Sequence, residues 1–170
     1  MIIYEIISTF FFSGKASKAP GTFGTIASIP LVIFVQFYLP NRFQFFRENY
    51  TTITSLIIIF IFIIGTISAH IYANHISIKD PKQVVIDEVV GMMLTVFIVQ
   101  IYLKSSFLID KKSLKILLIS FILFRFFDII KPYPISLIDR KLTGGLGIML
   151  DDVLAAIFAG IATIISLRIF

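Results

Sequence analysis

Two carboxylate pairs stand inside apolar sequence. Asp151 and Asp152 close the stretch GIMLDD (147–152) and are followed by VLAAIFAGIATIISL, while Asp87 and Glu88 sit among aliphatic residues in QVVIDEVVGMM (83–93). An ionised carboxyl group in such surroundings is costly unless something positive meets it. Neighbours on a helix diverge by about 100°, so both members of a pair address one point only if it lies over the helix edge. Gly91, four residues after Asp87, leaves that face open to close approach. The plainer explanation of Asp87 and Glu88 is a helix start at an interface, where acids favour the positive end of the dipole.

Three further stretches carry groups that could work with these acids. In FRFFDIIKPYP (124–134), Arg125 and Asp128 are three apart and share a helix face, as a structural ion pair would. Pro132 ends that helix and sets Lys131 at its mouth. DRKLTGGLGIMLDD (139–152) supplies an acidic–basic loop, in which Asp139 and Arg140 are candidates to pair with each other, then three glycines, then the two aspartates. SGKASKAPGTFGT (13–25) supplies Lys15, Lys18, three glycines and the hydroxyls of Ser17, Thr22 and Thr25, just ahead of an apolar helix. Glycines let backbone N–H groups approach an anion, and the helix start adds a favourable dipole. No GKS or GKT closes the loop, so it is not a Walker motif, and a helix entry capped by Thr22 or Thr25 explains it equally well.

Several hard oxygen ligands in an apolar bundle match what Mg²⁺ requires. His70 and His75, five apart, suit polar packing better than metal binding, since no second His pair and no Cys completes a zinc site.

The elements that must position these groups are long and greasy. The 170 residues fit one domain spanning 1–170, are 58% hydrophobic, and include nineteen Phe, no Trp and no Cys. Mean hydropathy is +0.98. Residues 19–41 and 49–78 are free of charge and long enough to cross a bilayer, which takes about 20 residues. Three shorter runs reach that length by including flanking polar residues. The pattern predicts an all-α, multi-helical integral membrane bundle of about five apolar helices near 22–39, 53–73, 84–103, 114–130 and 148–168. The pairs Asp87–Glu88 and Asp151–Asp152 then lie about one turn inside their helices. Segments 13–21, 74–88 and 128–152 fall on one side, which places an active site at one membrane face. Glu48 and Asp110 are left on the other side, with Arg42, Arg47, Lys104, Lys111, Lys112 and Arg168. The basic residues divide so evenly that the positive-inside rule points only weakly to a cytoplasmic motif face. A soluble helical domain with very apolar core helices is the competing architecture.

The net charge of +5 suits an anionic membrane surface or substrate. The basic residues are scattered, which argues against nucleic acid. MIIYEIISTFFF lacks a basic leader and a cleavage site, so it does not read as a signal peptide.

KAPGTFGT, VVIDEVVGMMLT, FRFFDIIKPYPI and GGLGIMLDDVLAAI, in this order over residues 14–156, resemble the phosphatidylglycerophosphatase A family. The resemblance implies an all-helical, Mg²⁺-dependent phosphatase that converts phosphatidylglycerophosphate to phosphatidylglycerol; the apolar runs place it in a bacterial-type inner membrane, and the basic bias turns its site toward the cytoplasm. It implies Asp87, Glu88, Asp128, Asp151 and Asp152 as the metal set, with Asp128, Asp151, Asp152 and Lys131 in catalysis. Lys15, Lys18, Thr22, Thr25, Arg125 and Lys131 are then the groups that hold phosphate. The implied partners are the anionic lipid and the bilayer, with a homo-oligomer left open.

Other phosphatase chemistries fit poorly. A cysteine phosphatase needs Cys, the acidic D-x-D signature is absent, and neither histidine lies in a PSGH-like run. The alternative from another class is a small cation transporter or channel with carboxylates at its mouth. It would place acids along a path to both sides. A non-catalytic scaffold leaves the conjunction of lysines, glycines and carboxylates without a role.

Overall fold

The computed structural model describes residues 1–103 and 108–169. They are helical, with no strand among them: α1 (Ile2–Ser8), α2 (Pro20–Ile33), α3 (Leu39–Arg42), α4 (Gln44–Glu48), α5 (Tyr50–Ile76), α6 (Ile86–Leu103), α7 (Lys111–Ile130), α8 (Ile135–Lys141) and α9 (Gly145–Ile169). Four stretches are long and apolar enough to cross a membrane: Pro20–Arg42, α5, α6 and α9. The fifth expected span, α7, has the length but carries charge at both ends. Lys104, assigned by sequence to the far face, lies outside the described residues.

α6 is the axis of the bundle. Val89, Val90, Met92, Met93, Val96 and Val99 are all buried, and α2, α5, α7 and α9 pack around it. α6 and α9 are the most closely packed pair. Small residues on α9 (Ala155, Ala156 and Ala159, all buried) let the two backbones approach, the usual device where helices gain little from burying grease in grease. Gly91 serves a related purpose: a Cβ there would run into the Phe124 ring of α7. The open face of α6 is thus filled by a packed aromatic. α5 lies outermost, with Leu56, Ile59, Phe60, Ile63 and Ile67 exposed toward the surroundings.

Local chemistry moves several boundaries. α2 begins at Pro20, whose missing N–H costs nothing at a first helical position, and its N-cap is Ala19 in a left-handed conformation (φ 49°). Thr22 and Thr25 are therefore inside the helix and neither caps it. The π segment Phe34–Tyr38 precedes Pro40, which has no N–H to offer the Gln36 carbonyl. α6 starts at Ile86, where Val89 N–H donates to the Val85 carbonyl (3.3 Å); ahead of it Val84 N–H donates to the Pro81 carbonyl (2.9 Å) and Val85 N–H to the Ser8 carbonyl at the end of α1 (2.8 Å). Asp87 and Glu88 accordingly sit in the first turn of α6. α9 begins at Gly145, so Asp151 and Asp152 lie nearly two turns inside it.

The starts of α2, α6 and α9, the end of α7, the loop 77–85 and the segment 131–144 that contains α8 all contribute to one depression at the same end of the bundle. Three helix N-termini thus converge there.

Candidate functional site

The depression has a volume of about 710 Å³. Its floor is acidic. Asp87 and Glu88 come from α6, Asp128 from the last turns of α7, and Asp151 and Asp152 from α9. Glu88, Asp151 and Asp152 are buried. One oxygen each from Asp87, Glu88 and Asp152 lies within 4.8 Å of the other two.

Two cations neutralise part of this floor. Arg125 Nη1 donates to Asp128 Oδ2 at 2.5 Å, the predicted three-residue pair, and stands 3.5 Å from Glu88 Oε1. It also reaches Thr25 Oγ1 at 3.5 Å, while the Thr25 hydroxyl donates to the Gly21 carbonyl at 2.8 Å. Gly21 makes this junction possible: a Cβ at that position would run into the Glu88 carboxylate and come within 2.9 Å of Arg125 Nη2. Lys131, in a left-handed conformation at the C-cap of α7 (φ 44°), donates to Asp151 Oδ2 and, at 2.7 Å, to Asp139 Oδ1. Burial works against its charge, but the hydrogen bonds it donates to Asp139 and Asp151 outweigh this and hold its pKa above the ordinary lysine value. Asp139 thus pairs with Lys131, where the sequence had suggested Arg140.

Four of the five floor acids, all but Asp128, keep a buried oxygen without a partner. Asp87 Oδ1, Glu88 Oε2, Asp151 Oδ1 and Asp152 Oδ2 are buried and accept no hydrogen bond, and Arg125 Nε is likewise unused. Unsatisfied buried carboxylate oxygens converging from two helices form a donor set for a hard divalent cation. The residues present therefore fit such an ion.

The structure brings together most of the residues singled out by sequence. Asp87, Glu88, Arg125, Asp128, Lys131, Asp151, Asp152 and Thr22 line the depression. Thr25 is buried behind Arg125. Lys15 and Lys18 do not line it. Lys15 is instead tied to Glu5 of α1 at 2.5 Å and lies 5.0 Å above the Phe12 ring. The hydrogen bond with Glu5 raises its pKa. Lys79, Lys82, Asp80 and Thr143 line the rim and were not singled out. The signal available for Lys79 and Lys82 was their position in the polar loop just before Asp87.

Fold and site together define an all-helical membrane protein with an acid-floored cavity at one end of its bundle. The chain belongs to the phosphatidylglycerophosphatase A family, whose pattern matches residues 6–167. It is 36% identical to phosphatidylglycerophosphatase A of Haemophilus influenzae, over 91% of this chain and 83% of that protein. It is 30% identical to phosphatidylglycerophosphatase A of Escherichia coli, over 92% and 78% of the two chains. A Bacteroides thetaiotaomicron protein with the provisional name phosphatidylinositol-3-phosphatase is 32% identical over 91% and 87%. No solved structure matches the chain.

Proposed function

We propose that the chain hydrolyses the terminal phosphomonoester of phosphatidylglycerophosphate, releasing phosphatidylglycerol and inorganic phosphate. The observation that carries this reading is the set of buried, partnerless carboxylate oxygens facing a cavity that also presents Arg125, Lys131 and three helix starts. Family membership supports the same activity.

Magnesium is the cation we infer, held by Asp87, Glu88 and Asp152, with Asp128 beside them. When bound, it would supply Lewis acidity toward a phosphoryl oxygen and acidify water. The chain's own groups do the rest. The backbone N–H groups at the start of α2 and the guanidinium of Arg125 face the entering phosphate and favour its negative charge. Lys131 fixes Asp151 through Oδ2, which leaves Oδ1 free to orient a water and accept its proton. Water oxygen bonds to phosphorus as the bond from phosphorus to the glycerol oxygen breaks, and the proton taken up at Asp151 is returned to that oxygen. The lipid tails stay in the bilayer beside the exposed apolar helix faces. The site lies at the headgroup level of one leaflet, which we place on the cytoplasmic side.

The test is phosphate release by purified protein from phosphatidylglycerophosphate and from phosphatidylinositol 3-phosphate, with and without Mg²⁺. Mg²⁺-dependent release from the first, and little from the second, is the expected result. Preference for the inositol lipid would move the chain toward the Bacteroides relative's name. For orientation, cysteines placed at Arg140 and Glu48 should be labelled from the cytoplasm and from outside, respectively; the reverse pattern would overturn the cytoplasmic placement.

A further inference from the structure

The acid-floored cavity adjoins a second depression of about 420 Å³, lined by His70, Asn74, Ser77, Lys79, Thr143 and Gly144 among others. Lys79, Thr143 and Gly144 line both. The two halves are chemically opposite. The inner cavity is lined by seven carboxylates against four cations, two of which, Arg125 and Lys131, are already paired. The outer half has no carboxylate in its lining and is rich in donors: the Lys79 ammonium, the Ser77 and Thr143 hydroxyls, and the Asn74 amide. Among the described residues no carboxylate pairs with Lys79, whereas Lys15, Arg125 and Lys131 each have one. Gly144 shapes the junction. It has φ +76°, a conformation suited to glycine, and a Cβ there would come within 2.9 Å of His70 Nδ1.

Phosphatidylglycerophosphate carries two phosphates, a terminal monoester and the phosphodiester that joins glycerol to the lipid. Only the first reacts. We infer that the outer depression is a subsite for the unreacting phosphodiester, with Lys79 as its counter-charge and Ser77 and Thr143 as neutral donors. The inference rests on the phosphatase reading above and adds a residue-level account of substrate choice. An acid-free, donor-rich wall that shares Lys79, Thr143 and Gly144 with an acid-rich floor sorts the two phosphates: the monoester goes where a divalent cation offsets the carboxylates, and the diester goes where none is needed. Ile67, one helical turn before His70 on α5, and Leu146, just after Gly144, are exposed apolar side chains that offer surface to the attached acyl chains. An interaction made equally in the ground state and the transition state, as with a phosphodiester that does not react, appears in KM with kcat unchanged.

The experiment compares two lipids with the same acyl chains in mixed micelles at fixed Mg²⁺: phosphatidylglycerophosphate, and phosphatidic acid, which has a monoester and no diester. Lys79→Gln should raise KM for phosphatidylglycerophosphate about tenfold, with kcat within about twofold, and leave kcat/KM for phosphatidic acid unchanged. Lys79→Arg should restore most of the loss. Phosphatidylglycerol, which keeps only the diester, should inhibit the wild type and inhibit Lys79→Gln more weakly. Lys141→Ala, which removes an exposed charge outside both depressions, should leave the ratio of the two substrates where it was. Equal losses on both lipids, no loss on either, or the same change in Lys141→Ala would overturn the subsite and assign Lys79 to general surface charge. Turnover of phosphatidylglycerophosphate by the wild type keeps the phosphatase reading standing in those cases. Its absence in the wild type would overturn both.

Discussion

Asp110 and Asp151 are aspartates near the starts of two long helices, at opposite ends of one bundle, and they differ in what their oxygens touch. Asp110 caps α7: its Oδ1 accepts from Ser113 N at 2.8 Å and from Ser113 Oγ at 2.9 Å. The backbone hydrogen bond from Ser113 is the chief cause holding that carboxyl below its usual pKa. Its charge is spent on its own helix. Asp151 is buried two turns inside α9, gives Oδ2 to Lys131, and leaves Oδ1 with nothing. An acid in an apolar chain is therefore not in itself a sign of chemistry. An acid whose oxygens remain unsatisfied after the local backbone has taken its share is one.

The comparison predicts effects that fall off from one end of the molecule to the other. Exhaustive chelation should abolish phosphate release, and Mg²⁺ should restore it; full activity in EDTA would remove the cation from the account. Asp151→Asn or Asp152→Asn keeps size but removes a charge, and should cost on the order of 10²-fold or more in kcat, with a raised Mg²⁺ half-saturation for Asp152. Near-normal turnover in both variants would show that the partnerless oxygens are not the reacting centre. Asp110→Asn should leave kcat within about twofold of wild type while lowering the unfolding temperature slightly, because it weakens a cap and lines neither depression.

A pH profile sharpens the same contrast. Lys131 has a raised pKa, so its contribution to stability is fully present below the unfolded-state value of 10.5 and is lost only as pH rises through the still higher folded value. Between about pH 6 and 9 it should produce no titration limb in either stability or rate. A lysine-type limb in that window that vanishes in Lys131→Gln would contradict the ion-pair geometry. The smallest expected effect is that of His75→Asn. His75 is exposed, lines neither depression, and should leave turnover unchanged.

The sequence made the site's acids legible because charge inside an apolar run is anomalous and must be compensated. It made the spans legible because a bilayer sets a minimum length. What escaped it depended on contacts between distant segments. Lys15 looked like a phosphate ligand until α1 folded back and set Glu5 beside it. Asp139 looked like a partner for Arg140, but the turn at Pro132–Pro134 carries Lys131 to it across eight residues. Asp87 and Glu88 fall in the first turn of α6, and the segment ahead of them is tied to α1 by the bond from Val85 N–H to the Ser8 carbonyl, a contact that no helical period announces. The outer depression was invisible for the same reason: Lys79 and Thr143 are 64 positions apart and meet only because α5 ends beside the start of α9.

The convergence of α2, α6 and α9 has an electrical consequence. The peptide dipoles of each helix leave roughly half a positive charge at its N-terminus, worth about 0.3–1 kcal/mol toward a nearby anion at an exposed site. Unlike a bound ion, that contribution cannot be washed out, and unlike a side chain it cannot be titrated or mutated away. The acid floor is therefore built on a standing positive bias that belongs to the backbone itself, present from the moment the bundle forms.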